Sequence, residues 1–148
     1  MTTFFEGNSS LLTADAFEFV LDSELKRSVR SQNYLTLVTV GASRESDGAT
    51  TPADDETLRD VAELIGRELR DADLIGHTGP GALTLALLDA DMEHAERVIS
   101  RLLSRFDQRG FPAPLQIALG AASCPTHAVD AGSLRREALS RPMAKWRL

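Results

Sequence analysis

The chain has 148 residues, of which 43% are hydrophobic, and its formal net charge is −6. This length and composition predict one domain, residues 1–148, in which residues 1–12 form an N-terminal arm. The acidic balance argues against general nucleic-acid binding, because duplex binding needs a broad cationic face. The single cysteine, Cys124, excludes a disulfide framework and a thiolate-rich metal site, and we expect its thiol to be buried and inert.

The N-terminal residues lack a basic region followed by a continuous apolar run, so they do not predict a secretory signal. No apolar run approaches membrane-spanning length. We therefore expect a soluble cytoplasmic protein without membrane contacts.

The first third of the chain predicts a helix, a strand and a loop. Thr13 is a suitable N-cap, and the residues that follow it at helical spacing are Phe17, Val20, Leu21, Leu25 and Val29. The segment Tyr34 to Val40, "YLTLVTV", predicts a strand. Residues 42–55, "ASRESDGATTPADD", predict a loop because they are rich in Gly, Pro, Ser and Thr.

A second helix is expected to begin at the acidic residues Asp54 to Glu56 and to end near Arg70 to Ala72. Its buried stripe is Leu58, Val61, Ala62, Ile65 and Leu69. A β-hairpin should follow, with its turn at Gly79 to Gly81 and with Leu83, Leu85 and Leu87 alternating inward on the second strand.

The last third predicts a helix from about Met92 to Phe106, a strand from Leu115 to Ser123, and a short helix from Ala131 that Pro142 ends or kinks. The order is therefore helix, βαββαβ, helix. This order is typical of a ferredoxin-like α+β fold, in which helices pack on one face of an antiparallel sheet.

In this order, several segments resemble the GGDEF family, the diguanylate cyclases that condense two GTP molecules into cyclic di-GMP on a palm-like domain. "AFEFVLDSELKRSVRSQNYLTLVTV" resembles the first helix and strand of the family. "DETLRDVAELIGRELRDADLIGHTGPGALTLALLDADMEHAERV" is similar to the second helix, the signature hairpin and the next helix. "LQIALGAA" and the "AK" of "RPMAKWRL" are similar to the last conserved strand and the helix lysine.

The resemblance implies that the catalytic groups have been lost. The five-residue signature aligns with "GPGAL", in which Gly81 and Ala82 replace the acidic pair, and the metal ligand of the first strand aligns with Gly41, Ala42 and Ser43. Two divalent cations held by carboxylates carry the family's phosphoryl transfer, and such hard cations need oxygen ligands. We therefore expect no cyclase activity, no catalytic residue, no metal and no cofactor.

Other residues near the aligned catalytic site have simpler interpretations. We expect Asp89 and Asp91 to cap a helix. Asp55 and Lys145 match base- and phosphate-contact positions of the family, but we favour the simpler interpretations of a helix-start carboxylate and a solvated lysine. His77 precedes the hairpin turn, and we expect it at the hairpin surface. The three histidines lie in separate segments, which disfavours a histidine metal cluster.

A second site of the family, which binds the product, is retained in register. Its Arg-x-x-Asp motif matches Arg70 and Asp73, and five residues, "LIGHT", separate Asp73 from Gly79. Arg101 aligns with the arginine that completes this site. Arg44 opens a second Arg-x-x-Asp match, "RESD", but at the wrong spacing. Guanidinium groups can donate paired hydrogen bonds to phosphate or guanine acceptors, and the Asp73 carboxylate can accept from the guanine N1 and amino groups.

Two functions stay open at this point. The first is a cyclic di-GMP receptor in bacterial second-messenger signalling, with the ligand between the second and third helices, and with another protein or a second copy of the chain as partner. The second is a ligand-independent interaction or dimerisation module, in which the helix arginines Arg67, Arg70, Arg97, Arg101 and Arg105 form only a solvated face. An enzyme with altered chemistry is disfavoured, because no activated nucleophile or acid–base pair can be identified.

Overall fold

A computed structural model describes Phe5 and residues 10–148. In these residues the elements are α1 (Ala14–Ser31), β1 (Leu35–Ser46), β2 (Ala49–Pro52), α2 (Asp55–Glu68), β3 (Leu74–Gly79), β4 (Ala82–Leu88), α3 (Met92–Arg109), β5 (Gln116–Cys124), α4 (Ala131–Leu139) and β6 (Pro142–Arg147). The predicted α+β class is confirmed. No helix among these residues is long and apolar enough to cross a membrane.

The strands form one antiparallel sheet in the order β3-β4-β1-β5-β6, and β2 pairs only with β1. The signature segment connects β3 to β4 as an antiparallel hairpin, as predicted. In the register of the central strands, Gly41 lies between Ala82 on β4 and Ala118 on β5. The aligned catalytic positions of the first strand and of the hairpin are therefore neighbours across the sheet.

Helices cover both faces of the sheet: the two helices of the βαββαβ part lie on one face, as expected for that part, and the two helices outside it lie on the other. Helices α2 and α3 pack on one face, on a core that includes Leu83, Leu85 and Leu87. Helices α1 and α4 pack on the other, against residues such as Leu35 and Leu37. The reason is that β1 and β4 carry apolar residues at both alternating positions, as central strands buried on both faces do.

Helices α1 and α2 begin close to the predicted residues, and each is capped by a side chain at its N-terminus. Thr13 caps α1 by accepting a hydrogen bond from the Ala16 amide at 3.3 Å, and Asp54 caps α2 by accepting from the Thr57 amide at 3.0 Å. The hydrogen bonds from Thr57 hold the pKa of the Asp54 carboxyl below its usual value. Helix α2 ends at Glu68, two residues before the predicted range, because the chain turns to an extended conformation at Leu69.

Two predictions about single side chains have different outcomes. Val29, predicted on the buried stripe of α1, is 48% exposed, whereas Phe17, Leu21 and Leu25 of that stripe are buried. In the last turn of α1 the buried position is Ser28, and the adjacent Val29 faces away from it. Cys124 is fully buried, as predicted, and burial raises the pKa of its thiol.

The predicted loop 42–55 is instead a hairpin arm. Strand β1 continues to Ser46, and β2 returns along it after a turn at Asp47 and Gly48, which have φ of 52° and 78°. Both turn residues are in the left-handed region, as a tight hairpin turn requires. The Arg44 guanidinium fixes the arm by donating to the carbonyls of Pro112 at 3.1 Å and Pro114 at 2.6 Å.

The C-terminal segment after Pro142 forms the edge strand β6, which the sequence did not predict, so Lys145 lies on a strand and not on a helix. Trp146 anchors this strand in a cluster with Phe106 and Phe111, and its indole N–H donates to Asp107 at 2.6 Å. At the opposite edge, Leu12 bridges β3. Most of the predicted arm, residues 1–4 and 6–9, lies outside the described residues.

Candidate functional site

The turn of the signature hairpin has no room for a side chain at its third position. Gly81 has φ of +62°, a conformation that residues with a side chain rarely adopt. A Cβ added there lies 2.5 Å from the carbonyl oxygen of Ala42 and 2.9 Å from the Cβ of Pro52. The Gly81 carbonyl also accepts a hydrogen bond from the Ala42 amide at 2.7 Å. The hairpin arm thus closes over the position at which the resemblance expects a carboxylate.

The aligned metal positions do not fit divalent cations. Gly41 and Ala42 supply no side-chain oxygen, Ser43 supplies only a neutral hydroxyl, and the Ala42 carbonyl already accepts from the Ala53 amide at 2.9 Å. Asp91 is the N-cap of α3, as predicted, whereas Asp89 lies in the preceding turn with φ of 53°. Among the described residues, no three His, Cys, Asp or Glu side chains are grouped so that they could hold a metal ion.

Arg70 and Asp73 follow the end of α2 and form a compact turn against the end of β4. The Asp73 carboxylate accepts from the Arg70 amide and from the Leu88 amide, both at 3.1 Å, and pairs with the Arg70 guanidinium at 3.4 Å. The Arg70 Nη2 donates to the Leu88 carbonyl at 2.5 Å. Both residues of the motif therefore bind the backbone of Leu88.

The two side chains of this turn differ in exposure. Only 2% of the Asp73 side chain is exposed, whereas 49% of the Arg70 side chain is. In this geometry Asp73 positions Arg70, and part of the guanidinium faces solvent. Direct reading of guanine by Asp73 stays a prediction, and it requires the carboxylate to leave the Leu88 amide.

Helix α3 brings Arg101 to the same end of α2. Its guanidinium contacts Glu68 through the carboxylate, at 3.6 Å, and through the backbone carbonyl, at 3.4 Å. Arg105, one turn further along α3, donates to the same carboxylate at 2.6 Å. Glu68 therefore occupies donors of two arginines that would otherwise be available to an anion.

His94, in the first turn of α3, lies where these charges converge. Burial lowers the pKa of His94, and the positive charges of Arg70, Arg97 and Arg101 lower it further, while Asp73 opposes them. Arg101 contacts Glu68, which is two residues before Arg70, so Arg101 lies beside the turn that Arg70 and Asp73 form.

Solved structures of GGDEF domains superpose on most of the chain. The GGDEF domain of TpbB (YfiN) from Pseudomonas aeruginosa has a TM-score of 0.73 and 21% identity, over 90% of this chain and 83% of that domain. For the GGDEF domain of DgcB from Caulobacter crescentus in complex with c-di-GMP, the TM-score is 0.75 and the identity 14%, over 95% and 88%.

The active GGEEF domain of a diguanylate cyclase from Vibrio cholerae has a TM-score of 0.74 and 16% identity, over 88% of this chain and 87% of that domain. The chain has the GGDEF-domain fold. No family model and no curated protein sequence matches it. At these identities the likeness establishes the architecture of the GGDEF domain, while the site chemistry must come from this chain's own residues.

Acidic side chains accompany the helix arginines Arg67, Arg70, Arg97, Arg101 and Arg105, which we call the arginine patch. Arg67 pairs with Glu63 at 2.6 Å on α2, and Arg97 pairs with Glu93 at 3.2 Å on α3. Each of these pairs spans four residues of one helix and is largely exposed, as expected of an ordinary solvated face. Arg70 and Arg101 differ from them, because each contacts a different segment of the chain.

The remaining candidates of the GGDEF alignment lie outside this patch. Asp55 is the exposed first residue of α2, as expected, and Lys145 is exposed on β6. His77 is half-buried on β3, where its amide donates to the Leu12 carbonyl at 2.9 Å. Sequence reasoning missed Glu68 and His94, although both are polar residues close to the predicted motif.

Proposed function

We propose that this chain is a catalytically inactive GGDEF-like domain that binds cyclic di-GMP through Arg70, Asp73 and Arg101. The observation that carries the proposal is the convergence of Arg70 and Arg101 at the end of α2, in a chain whose net charge is −6. As a cytoplasmic receptor of bacterial second-messenger signalling, it passes the signal to a partner protein or a second copy of itself.

The chemistry of the two arginines suits this ligand. A guanidinium donates two parallel hydrogen bonds in a planar fork, which matches a phosphate or the acceptor edge of guanine. Arg70 is half-exposed and held in place by Asp73, so less side-chain entropy is lost when a ligand binds it. Asp73 therefore contributes first as the residue that orients Arg70.

Two of the structurally similar proteins support this choice of ligand. The DgcB domain was solved in complex with c-di-GMP. A second structure, with a TM-score of 0.71 and 19% identity over 93% of this chain and 88% of that one, is of an interaction mode between a microbial GGDEF domain and cyclic di-GMP.

The alternative function is a ligand-independent interaction or dimerisation module. The pairing of Glu68 with Arg101 and Arg105 favours it, because cations already satisfied by an acid attract an anion less strongly. In that case the arginines serve solubility or protein contacts.

Calorimetric titration of two matched variants distinguishes these functions. Arg70→Ala should weaken cyclic di-GMP binding by about 30- to 150-fold, since a charge-assisted bidentate contact is worth about 2 to 3 kcal/mol. Arg70→Lys should rescue only part of the loss, because a point charge lacks the planar fork. Arg67→Ala, in the last turn of α2 where Arg67 pairs with Glu63, is the control and should bind normally. Equal affinity of the Arg70→Ala and Arg67→Ala variants would contradict the proposed site.

The proposed inactivity has its own assay. We expect no cyclic di-GMP from GTP with Mg²⁺ or Mn²⁺, since neither Gly41 nor Gly81 provides a carboxylate. Ala82→Glu restores one acid at a position that already carries a Cβ, and it should also be inactive. Product above a no-enzyme control in chromatography would refute this assignment.

A further inference from the structure

The sheet face beneath α1 and α4 changes from large to small side chains along its strands. On β1 the residues of this face are Leu35, Leu37, Thr39 and Gly41; on β4, reading in the same spatial direction, they are Leu88, Ala86, Thr84 and Ala82; on β5 they are Cys124, Ala122, Gly120 and Ala118. At the leucine end these side chains join the core under α1 and α4. At the glycine end the side chains are short, and the backbone of α4 at Ala138 packs directly against Gly120.

An open cavity of about 420 Å³ lies at this small-residue end. Its floor is formed by two rows of paired residues, Thr84–Thr39–Gly120 and Ala82–Gly41–Ala118. Its walls come from α1 and α4. This volume is within the range of about 300 to 1,000 Å³ that small-molecule sites occupy.

The lining is mostly apolar, with a few hydroxyl groups. The Thr78 and Thr84 hydroxyls lie 2.8 Å apart, and the Thr39 hydroxyl makes only a long contact of 3.5 Å to the Gly120 carbonyl. A hydroxyl offers one donor and two acceptor positions, so these groups retain capacity to bind a ligand.

The charged residues of the lining neutralise each other. Glu18 on α1 and Arg135 on α4 form an ion pair. An ionic ligand would therefore meet no unpaired charge of opposite sign among the lining residues, and it would lose hydration on entering. An uncharged ligand avoids this cost.

We infer that this cavity is a binding site for an uncharged, flat ring compound that carries a hydrogen-bonding group. The Ala82–Gly41–Ala118 row provides a flat apolar floor for the ring, and the hydroxyls of Thr39, Thr78 and Thr84 orient its polar edge. The inference does not rest on the proposed cyclic di-GMP function, because the cavity and the arginine patch share no residue.

Amide chemical-shift titration of the full chain with 2-quinolinone, an uncharged bicyclic lactam, tests the inference. We expect saturable shifts at Gly41, Ala82 and Gly120, with a dissociation constant on the order of millimolar. Quinoline-2-carboxylate, a flat anion of similar size, should bind at least about tenfold more weakly. GTP with Mg²⁺ should cause no saturable shift at these amides.

Two variants and a control make the titration specific. A Cβ at Gly41 has no atom within 4 Å, and Gly41→Leu extends a side chain from this position into the cavity, so it should abolish lactam binding. Thr39→Val keeps the side-chain shape but removes a hydroxyl, and should weaken binding about fivefold. Gly66→Leu is the matched control on α2, where the Cβ also has open space, and should bind as the unmodified chain does.

Three results would overturn the inference: no saturable shift with the lactam, unchanged binding by Gly41→Leu, or tighter binding of the anion than of the lactam. Saturable binding of GTP at these amides would assign the cavity to a charged ligand and would overturn it as well. Cyclic di-GMP titrations report on Arg70 and Arg101 instead, so the two proposals fail independently.

Discussion

Replacing Gly81 by alanine tests why the signature turn carries no acid. The structure predicts that any Cβ at this position is costly, because it meets the Ala42 carbonyl oxygen at 2.5 Å and the Pro52 Cβ at 2.9 Å. Neither neighbour is the flexible end of a long side chain. One belongs to the central strand β1, and the other lies on the arm strand β2.

The expected loss of stability has two parts. A left-handed conformation with a side chain costs roughly 1 to 2 kcal/mol, and overpacking against rigid neighbours costs roughly 1 to 3 kcal/mol. Gly81→Ala should therefore lower the free energy of unfolding by about 2 to 5 kcal/mol. For a chain of this size that corresponds to a fall in Tm of about 4 to 20 °C.

Thermal unfolding followed by circular dichroism measures this fall. Gly41→Ala is the matched control, since its Cβ enters open space on the strand paired with Ala82, and its Tm should stay within about 3 °C of the unmodified chain. Gly81→Asp should lose at least as much stability as Gly81→Ala. An unchanged Tm for Gly81→Ala would show that the hairpin arm can move to make room for a side chain at little cost. The steric explanation of the missing acid would then be wrong.

Three further predictions concern the arginine patch and the hairpin arm. Glu68→Gln should strengthen cyclic di-GMP binding by about twofold to fivefold in calorimetry, because it releases Arg101 from an ion pair; weaker binding would contradict this. The pKa of His94 lies below its usual value, and a bound anion should raise it, so binding takes up a proton and strengthens as the pH falls from 7.5 to 6. Titrations in buffers of different ionisation heat measure that uptake, and equal affinity at both pH values would argue against it. Arg44→Ala should lower the Tm by several degrees, since three hydrogen bonds to other segments are lost, whereas Arg67→Ala should leave the Tm almost unchanged.

Most helices and central strands could be predicted from the sequence, because apolar periodicity and capping residues act locally. The hairpin arm formed by the end of β1 and by β2 could not be predicted in this way, and neither could β6. Strand β2 is exposed at every position, so it has no alternating pattern, although the Asp47-Gly48 pair is a hairpin signal that could have indicated it. Strand β6 depends on pairing with β5 and on the burial of Trp146, which are tertiary contacts. Its position at the sheet edge is therefore not encoded in local propensity.

For the candidate site, the family register selected Arg70, Asp73 and Arg101, and the fold brings Arg101, in the middle of α3, against the last residue of α2, which precedes Arg70 and Asp73. The partners of these residues could not be predicted. The burial of Asp73 follows from the return of β4 beside the turn, where the Leu88 amide needs an acceptor. The contact of Glu68 with Arg101 depends on how α2 and α3 pack, which helical periodicity does not specify.

Isothermal titration of the unmodified chain with cyclic di-GMP is the most direct test of the receptor proposal. We expect saturable binding with tens of micromolar ligand or less, and a rise in Tm when the ligand is added. Absence of both titration heat and a ligand-induced Tm shift would contradict the proposal and would favour the interaction module.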